Sequence, residues 1–86
     1  MSEYLPIGSV VRLFGGTKKI MIYGRKQIQS GVNKKWDYVG CLYPEGNLSE
    51  KYNVFFNHNE IEEIYFKGYE DDEEIYTRKL FVTADA

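Results

Sequence analysis

A single cysteine, a single histidine and only two prolines stand in these 86 residues, and each scarcity removes a class of function. Cys41 alone makes no internal disulfide and no zinc site. His58 alone supplies no histidine dyad and no two-histidine metal centre within one chain. The longest uncharged apolar run, Ile20-Met21-Ile22-Tyr23, falls far short of the ~20 residues that span a bilayer. No basic segment followed by an apolar stretch opens the sequence, so no signal peptide is read. The expectation is a soluble, cytoplasmic, disulfide-free single domain over 1–86, with residues 1–3 and 83–86 disordered.

Aromatic rings, by contrast, are abundant: eight Tyr, five Phe and one Trp. A chain this short buries about 60–65% of the surface its unfolded form exposes, while each ring brings roughly 150–250 Å². Some rings must therefore lie outside. They are either amphipathic rings half-covered on strands or an aromatic contact patch for a partner.

Charge is uneven along the chain. Residues 1–40 hold seven basic side chains and two acids, whereas residues 41–86 hold four basic side chains and eleven acids. Either the two halves attract each other within the fold, or a dipolar surface orients the chain on a larger partner. The net charge of −2 argues against generic nucleic-acid binding, whose affinity comes chiefly from phosphate neutralisation.

The first half reads as sheet. Val10-Val11-Arg12-Leu13-Phe14 and Lys19-Ile20-Met21-Ile22-Tyr23 flank Gly15-Gly16, a hairpin signal because glycine tolerates the positive φ of tight turns. Neither run alternates cleanly, so both faces are expected to be covered, as in a curled sheet or small barrel. Gly24 ends or bends the second strand, and the polar residues 25–35 read as a long hairpin tip or loop. A third strand runs from Trp36 to Tyr43, with Gly40 marking a bulge or close backbone approach. Pro44-Glu45-Gly46-Asn47 is a turn, and Asn53-Val54-Phe55-Phe56 a fourth short apolar segment.

Helical signals begin at Asn57, which can cap the amide of residue 60, with Glu60 completing a capping box and Phe56 and Ile61 a hydrophobic staple. Ile61 and Ile64 fall three apart, which predicts a short helix near 57–64. The acids Glu70, Asp71, Asp72, Glu73 and Glu74 followed by Arg78 and Lys79 complement a helix dipole, with Glu74 and Arg78 spaced as an i,i+4 pair. A C-terminal helix near 71–81 is expected, and a final strand from Ile75 to Val82 is its rival. The fold class is α+β: a small curled antiparallel β-sheet, β-meander or barrel-like, with these two helices.

Candidate chemistry is thin. His58 and Cys41 read as structural groups, Cys41 as a buried and inert thiol. Gly15-Gly16-Thr17-Lys18-Lys19 lacks the spacing of a phosphate loop. The acid run has no central glycine for a calcium loop, and reads as a solvated helix start, with weak divalent or basic-partner binding as the alternative. Exposed carboxylates offer no burial to separate their pKa values for acid–base catalysis. No catalytic residue, cofactor or metal is expected.

Several separated motifs, in order, carry a resemblance. They are Leu5-Pro6-Ile7-Gly8-Ser9-Val10-Val11, Gly15 to Ile22, Gly24-Arg25, Asp37-Tyr38-Val39-Gly40-Cys41, Tyr43-Pro44-Glu45-Gly46, Phe55-Phe56-Asn57-His58 and Gly68-Tyr69-Glu70. Over about residues 4–74 the chain resembles a small bacterial family known as domain of unknown function 4176. The resemblance implies a Gram-positive (Firmicutes) source and genes near type VII secretion loci and their secreted toxins. It brings no catalytic residue.

The expected function is a non-enzymatic protein-interaction module, an accessory factor for type VII secretion substrates. Its expected contact surface uses Trp36, Tyr38, Tyr43, Phe55 and Tyr69, with Glu70, Asp71, Asp72, Glu73 and Glu74 steering a basic partner region. The partner is another protein, a secreted toxin or secretion component. A homodimer through an exposed strand edge would also account for surplus rings. The alternative is a small β-sheet nucleic-acid binder that uses the basic first half, with Phe14, Tyr23 and Trp36 as a stacking platform.

Overall fold

The structure, a computed structural model, describes residues 4–85. Residues 1–3 and 86, where disorder is expected from sequence, lie outside the described residues. Five strands and one helix follow in order: β1 (Val10–Leu13), β2 (Lys19–Gln29), β3 (Lys34–Tyr43), β4 (Val54–Phe56), β5 (Ile61–Phe66) and α1 (Asp72–Asp85). All strand pairs are antiparallel, in the order β4-β3-β2-β1-β5. The first four strands form a meander, and β5 returns to lie beside β1.

That order forces curvature. Strands β4 and β5 occupy opposite borders of the sheet, yet only residues 57–60 join them. In a flat sheet the borders would stand about 19 Å apart at ~4.8 Å per strand. A link containing a 3₁₀ turn at about 2 Å per residue cannot span that gap. The sheet therefore curls towards closure without completing it, while on the β5 side the Phe14 amide donates to the Glu60 carbonyl (3.0 Å), one step beyond the Leu13↔Ile61 pair of β1 and β5.

The concave side holds the core. Val11, Ile20, Ile22, Tyr38 and Phe56 pack with Tyr4 and Leu5 of the N-terminal segment, and Leu13, Leu42, Val54, Ile61, Phe81 and Val82 close the periphery. Gly40 sits where β3 crosses β2: an added Cβ would run into the Ile20 side chain and stand 2.8 Å from the Met21 carbonyl oxygen. This is the close backbone approach expected of a mid-strand glycine. At Gly68 an added Cβ would overlap the Ile7 carbonyl, and its amide donates to Ser9 Oγ (3.0 Å).

The hairpin about Gly15-Gly16, the turn at residues 44–47 and the C-terminal helix agree with the sequence reading. Three elements differ. First, of the two roles read for Gly24, ending or bending β2, the strand shows the second. A register shift between Ile22 and Gly24 absorbs it, and β2 and β3 stay paired out to Gln29↔Lys34. The polar stretch 25–35 is thus mostly strand, because ladder hydrogen bonds come from backbone and do not need apolar side chains. The turn itself uses Gly31 (φ +89°) and Asn33 (φ +52°).

Second, the helix expected near 57–64 is a single 3₁₀ turn, His58–Glu60, followed at once by β5. The expected capping box of Asn57 and Glu60 is present, the Asn57 amide donating to Glu60 Oε2 (2.7 Å), and Asn57 Oδ1 also accepts from the Asp37 amide of β3 (3.0 Å), so the box starts a turn tied to the sheet. The i,i+3 spacing of Ile61 and Ile64 comes from a bulge: Leu13 pairs with Ile61, Arg12 with Glu63 and Val11 with Ile64, leaving Glu62 as the extra residue. Both isoleucines thereby fall opposite core-facing residues of β1.

Third, α1 reaches Asp85, beyond residue 81 where its end is expected. Arg78 and Lys79 consequently lie in mid-helix rather than in its last turn. No helix among the described residues is long and apolar enough to cross a membrane.

Candidate functional site

Of the fourteen rings, Tyr4, Tyr38 and Phe56 are buried, Trp36, Phe55 and Phe81 are partly covered, and eight are exposed. The surplus read from composition is therefore real. The rings expected to form one contact surface, however, do not come together. Tyr38 is fully buried in the core, stacked against Phe56 (5.3 Å between centroids), so it cannot touch a partner; its position on the concave face of β3 is the reason. Trp36 packs on Phe55 (6.5 Å), lies under Lys34 Nζ (4.2 Å) and donates from Nε1 to Gln29 Oε1 (3.1 Å), all within its own hairpin and neighbouring strand. Tyr69 is 79% exposed, in the segment between β5 and α1. Only Tyr43 joins a larger apolar surface.

The acid run is largely consumed internally. Glu74 accepts two hydrogen bonds from Arg25 (2.7 and 2.8 Å), Glu70 pairs with Arg78 and Lys67, and Asp71 Oδ1 caps α1 by accepting from the Glu74 amide (2.9 Å). The Arg78 hydrogen bond is the main reason the Glu70 carboxyl is held below the usual glutamate range. Asp72 and Glu73 remain exposed. The same pattern holds across the molecule. Arg12 with Glu62 and Glu63, Lys18 with Glu45 and Arg25 with Glu74 each join a base of the first half to an acid of the second. Polarised composition thus serves intramolecular pairing to a large extent.

On the convex face three exposed rings, Tyr43, Tyr65 and Phe66, stand around a largely covered apolar floor. Strand alternation turns Val10, Met21 and Cys41 away from the core, and register puts them in one row with Phe66: Phe66↔Val10, Val10↔Met21, Met21↔Cys41. One step along, Lys19 pairs with Tyr43. A second bulge in β5, between Ile64 and Phe66, leaves Tyr65 as an extra residue, so the consecutive rings Tyr65 and Phe66 both line this face. The result is a trough of about 490 Å³ with Val10, Met21 and Gly8 as its floor, Tyr65 and Phe66 on one wall and Tyr43 on the other. Lys19 Nζ lies over the Tyr65 ring at 5.0 Å, and Arg12 Nε donates to Tyr65 Oη (3.1 Å), fixing that wall.

Lys19, Met21, Tyr65 and Phe66 do not figure in the surface expected from sequence. Tyr65 and Phe66 follow directly on the helix expected near 57–64; the two adjacent rings were the available signal. A second groove of about 370 Å³ runs along the β2–β3 hairpin, lined by Tyr4, Gln27, Ile28, Lys35 and Trp36 together with Lys26.

Reactive groups are placed structurally. Cys41 is buried. His58 Nδ1 lies 2.7 Å from Tyr38 Oη, and the His58 amide donates to Asp37 Oδ2 (2.8 Å). Among the described residues no three His, Cys, Asp or Glu side chains form a group able to hold a metal.

These features define a small α+β domain with an open, curled sheet and an aromatic trough on its outer face. The chain belongs to the family described as Domain of unknown function (DUF4176), whose model matches residues 4–76. That match takes in every strand and stops in the second turn of α1, short of Phe81 and Val82. No curated protein and no solved structure matches the chain.

Proposed function

We propose that this protein is a non-enzymatic interaction module that acts in the cytoplasm and docks another protein on the convex face of its sheet. The observation that carries this reading is the trough itself: Tyr43, Tyr65 and Phe66 stay exposed around an apolar floor, although the domain has a filled core on the opposite face. Exposed apolar patches rimmed by polar groups are characteristic of interaction sites, and aromatic rings supply most hot-spot energy. The partner class implied by the family resemblance is a type VII secretion substrate.

Co-expression with the products of neighbouring genes, followed by affinity capture, tests it. A stoichiometric partner recovered with the native chain and lost with Tyr65→Ser/Phe66→Ser supports the reading. Retention of that partner by the double variant, or no partner at all, contradicts it.

The hairpin groove favours a second reading, a single-stranded nucleic-acid binder, since Lys34 Nζ lies over Trp36 and Lys26 and Lys35 line the same groove. Anisotropy titration with labelled single strands across salt separates the two: binding that weakens steeply with salt supports nucleic acid.

A further inference from the structure

We infer that the occupant of the trough is an acidic partner segment, one that presents large apolar side chains beside a carboxylate, and that Lys19 is the residue that receives the carboxylate. This rests on the interaction reading above and reverses the polarity expected from sequence, in which the chain's own acids steer a basic partner.

Two observations lead there. The first concerns which route of docking the fold leaves open. An extended peptide could add to a sheet edge through backbone hydrogen bonds, but β4 is only three residues long and β5 carries bulges at Glu62 and Tyr65. Short and bulged strands are blunted edges. Recognition therefore falls to side chains on the sheet face, where the rings are.

The second is charge complementarity. Arg12, Lys18 and Arg25 are each neutralised by an acid of the same chain. Lys19 makes no ion pair among the described residues; its ammonium rests over Tyr65 at the wall of the trough. The other charged groups facing this region are Arg12, held by Glu62 and Glu63, and Lys18, held by Glu45. Within the trough's lining Lys19 is the one charged residue, so an incoming carboxylate meets a cation there and an incoming ammonium meets repulsion, while Glu62 and Glu63, which share Arg12, stand outside the lining. The trough is apolar elsewhere, so the remaining contacts must be apolar. A volume of about 490 Å³ is in the range of small-ligand pockets, roughly 300–1,000 Å³, and suits one or two large side chains rather than a whole helix.

The experiment is an amide-resolved NMR titration of the full chain with two pentapeptides of identical apolar residues, acetylated at the N-terminus and amidated at the C-terminus, Glu-Leu-Glu-Phe-Ser and Lys-Leu-Lys-Phe-Ser. The acidic peptide is expected to move the resonances of Val10, Lys19, Met21, Tyr65 and Phe66 and to bind more tightly than the lysine peptide. Lys19→Glu is expected to weaken the acidic peptide by about fivefold, the scale of one exposed ion pair, and to leave the fold's dispersion unchanged. Equal or tighter binding of the lysine peptide at the trough overturns the acidic occupant and leaves the interaction reading standing. No movement with either peptide also overturns it, and the interaction reading is then decided separately by partner capture with the Tyr65/Phe66 variant. Trough resonances that move with protein concentration alone identify a second copy of this chain as the occupant, and overturn it as well.

Discussion

Arg25 grips Glu74 with both terminal guanidinium nitrogens, at 2.7 and 2.8 Å, on side chains only 7% and 11% exposed. This pair fastens α1 to β2, and the same guanidinium lies over Phe81 (5.1 Å) and donates to the Leu5 carbonyl (3.3 Å). Removing one partner leaves a charge with poor access to water. Glu74→Ala is expected to cost about 3–5 kcal/mol, a large share of the total for so small a domain. Arg25→Met with Glu74→Leu should recover much of that loss, because neither charge is then stranded. Urea unfolding of the native chain and the two variants checks both statements.

Tyr38 and His58 illustrate a ring placed for packing and for polar satisfaction together. The buried Leu5 amide donates to Tyr38 Oη (2.9 Å), so the hydroxyl proton is available to His58 Nδ1 at 2.7 Å. The expected outcome is a hydroxyl that donates to Nδ1, with the imidazole proton on Nε2. Tyr38→Phe strands the Leu5 amide and is expected to cost about 1–3 kcal/mol. Nitrogen chemical shifts of the His58 ring report the tautomer directly.

Gly40 is fixed by sterics rather than by backbone conformation. Gly40→Ala drives a methyl into Ile20 and the Met21 carbonyl, and overpacking of this kind costs about 1–3 kcal/mol. Gly31→Ala at the hairpin tip meets open space but carries a positive φ, so its cost should be smaller, about 1 kcal/mol. Thermal midpoints of the two variants give the order.

Acid should loosen the helix end of the molecule. Arg78 holds the Glu70 carboxyl below its usual range through their hydrogen bond, with a further contribution from Lys67. Lys18 does the same for Glu45 at the 44–47 turn. A carboxyl whose folded pKa is depressed contributes stability that is complete above the unfolded value, about 4.3, and is lost as pH falls through the folded one. Stability should thus decline below about pH 4.3, and Arg78→Met should flatten that part of the profile. Chemical unfolding across pH measures it.

How far the sequence speaks for the structure differs by element. Gly15-Gly16, Pro44 to Asn47 and the acid-led helix were legible because turns and caps are written in a few adjacent residues. Strand β5 was not, because its isoleucines are spaced by a bulge that exists only once Ile61 and Ile64 pair with β1; local spacing alone imitates a helix. The length of β2 escaped for a related reason, since its polar outer half is held by backbone pairing to β3. Aromatic surplus was visible in composition, but which rings stay outside depended on register. Tyr38 faces the core, whereas Tyr65 and Phe66 share the convex face through a second bulge.

Photo-crosslinking in the cells that produce this protein tests the convex-face interface most directly. With benzoylphenylalanine at Phe66, which is 61% exposed at the trough wall, one protein adduct is expected on illumination, and it should weaken when Lys19→Glu is added. The same probe at Leu48, slightly more exposed but outside the trough, should give none. Equal adducts at both positions, or none at Phe66, would contradict the account.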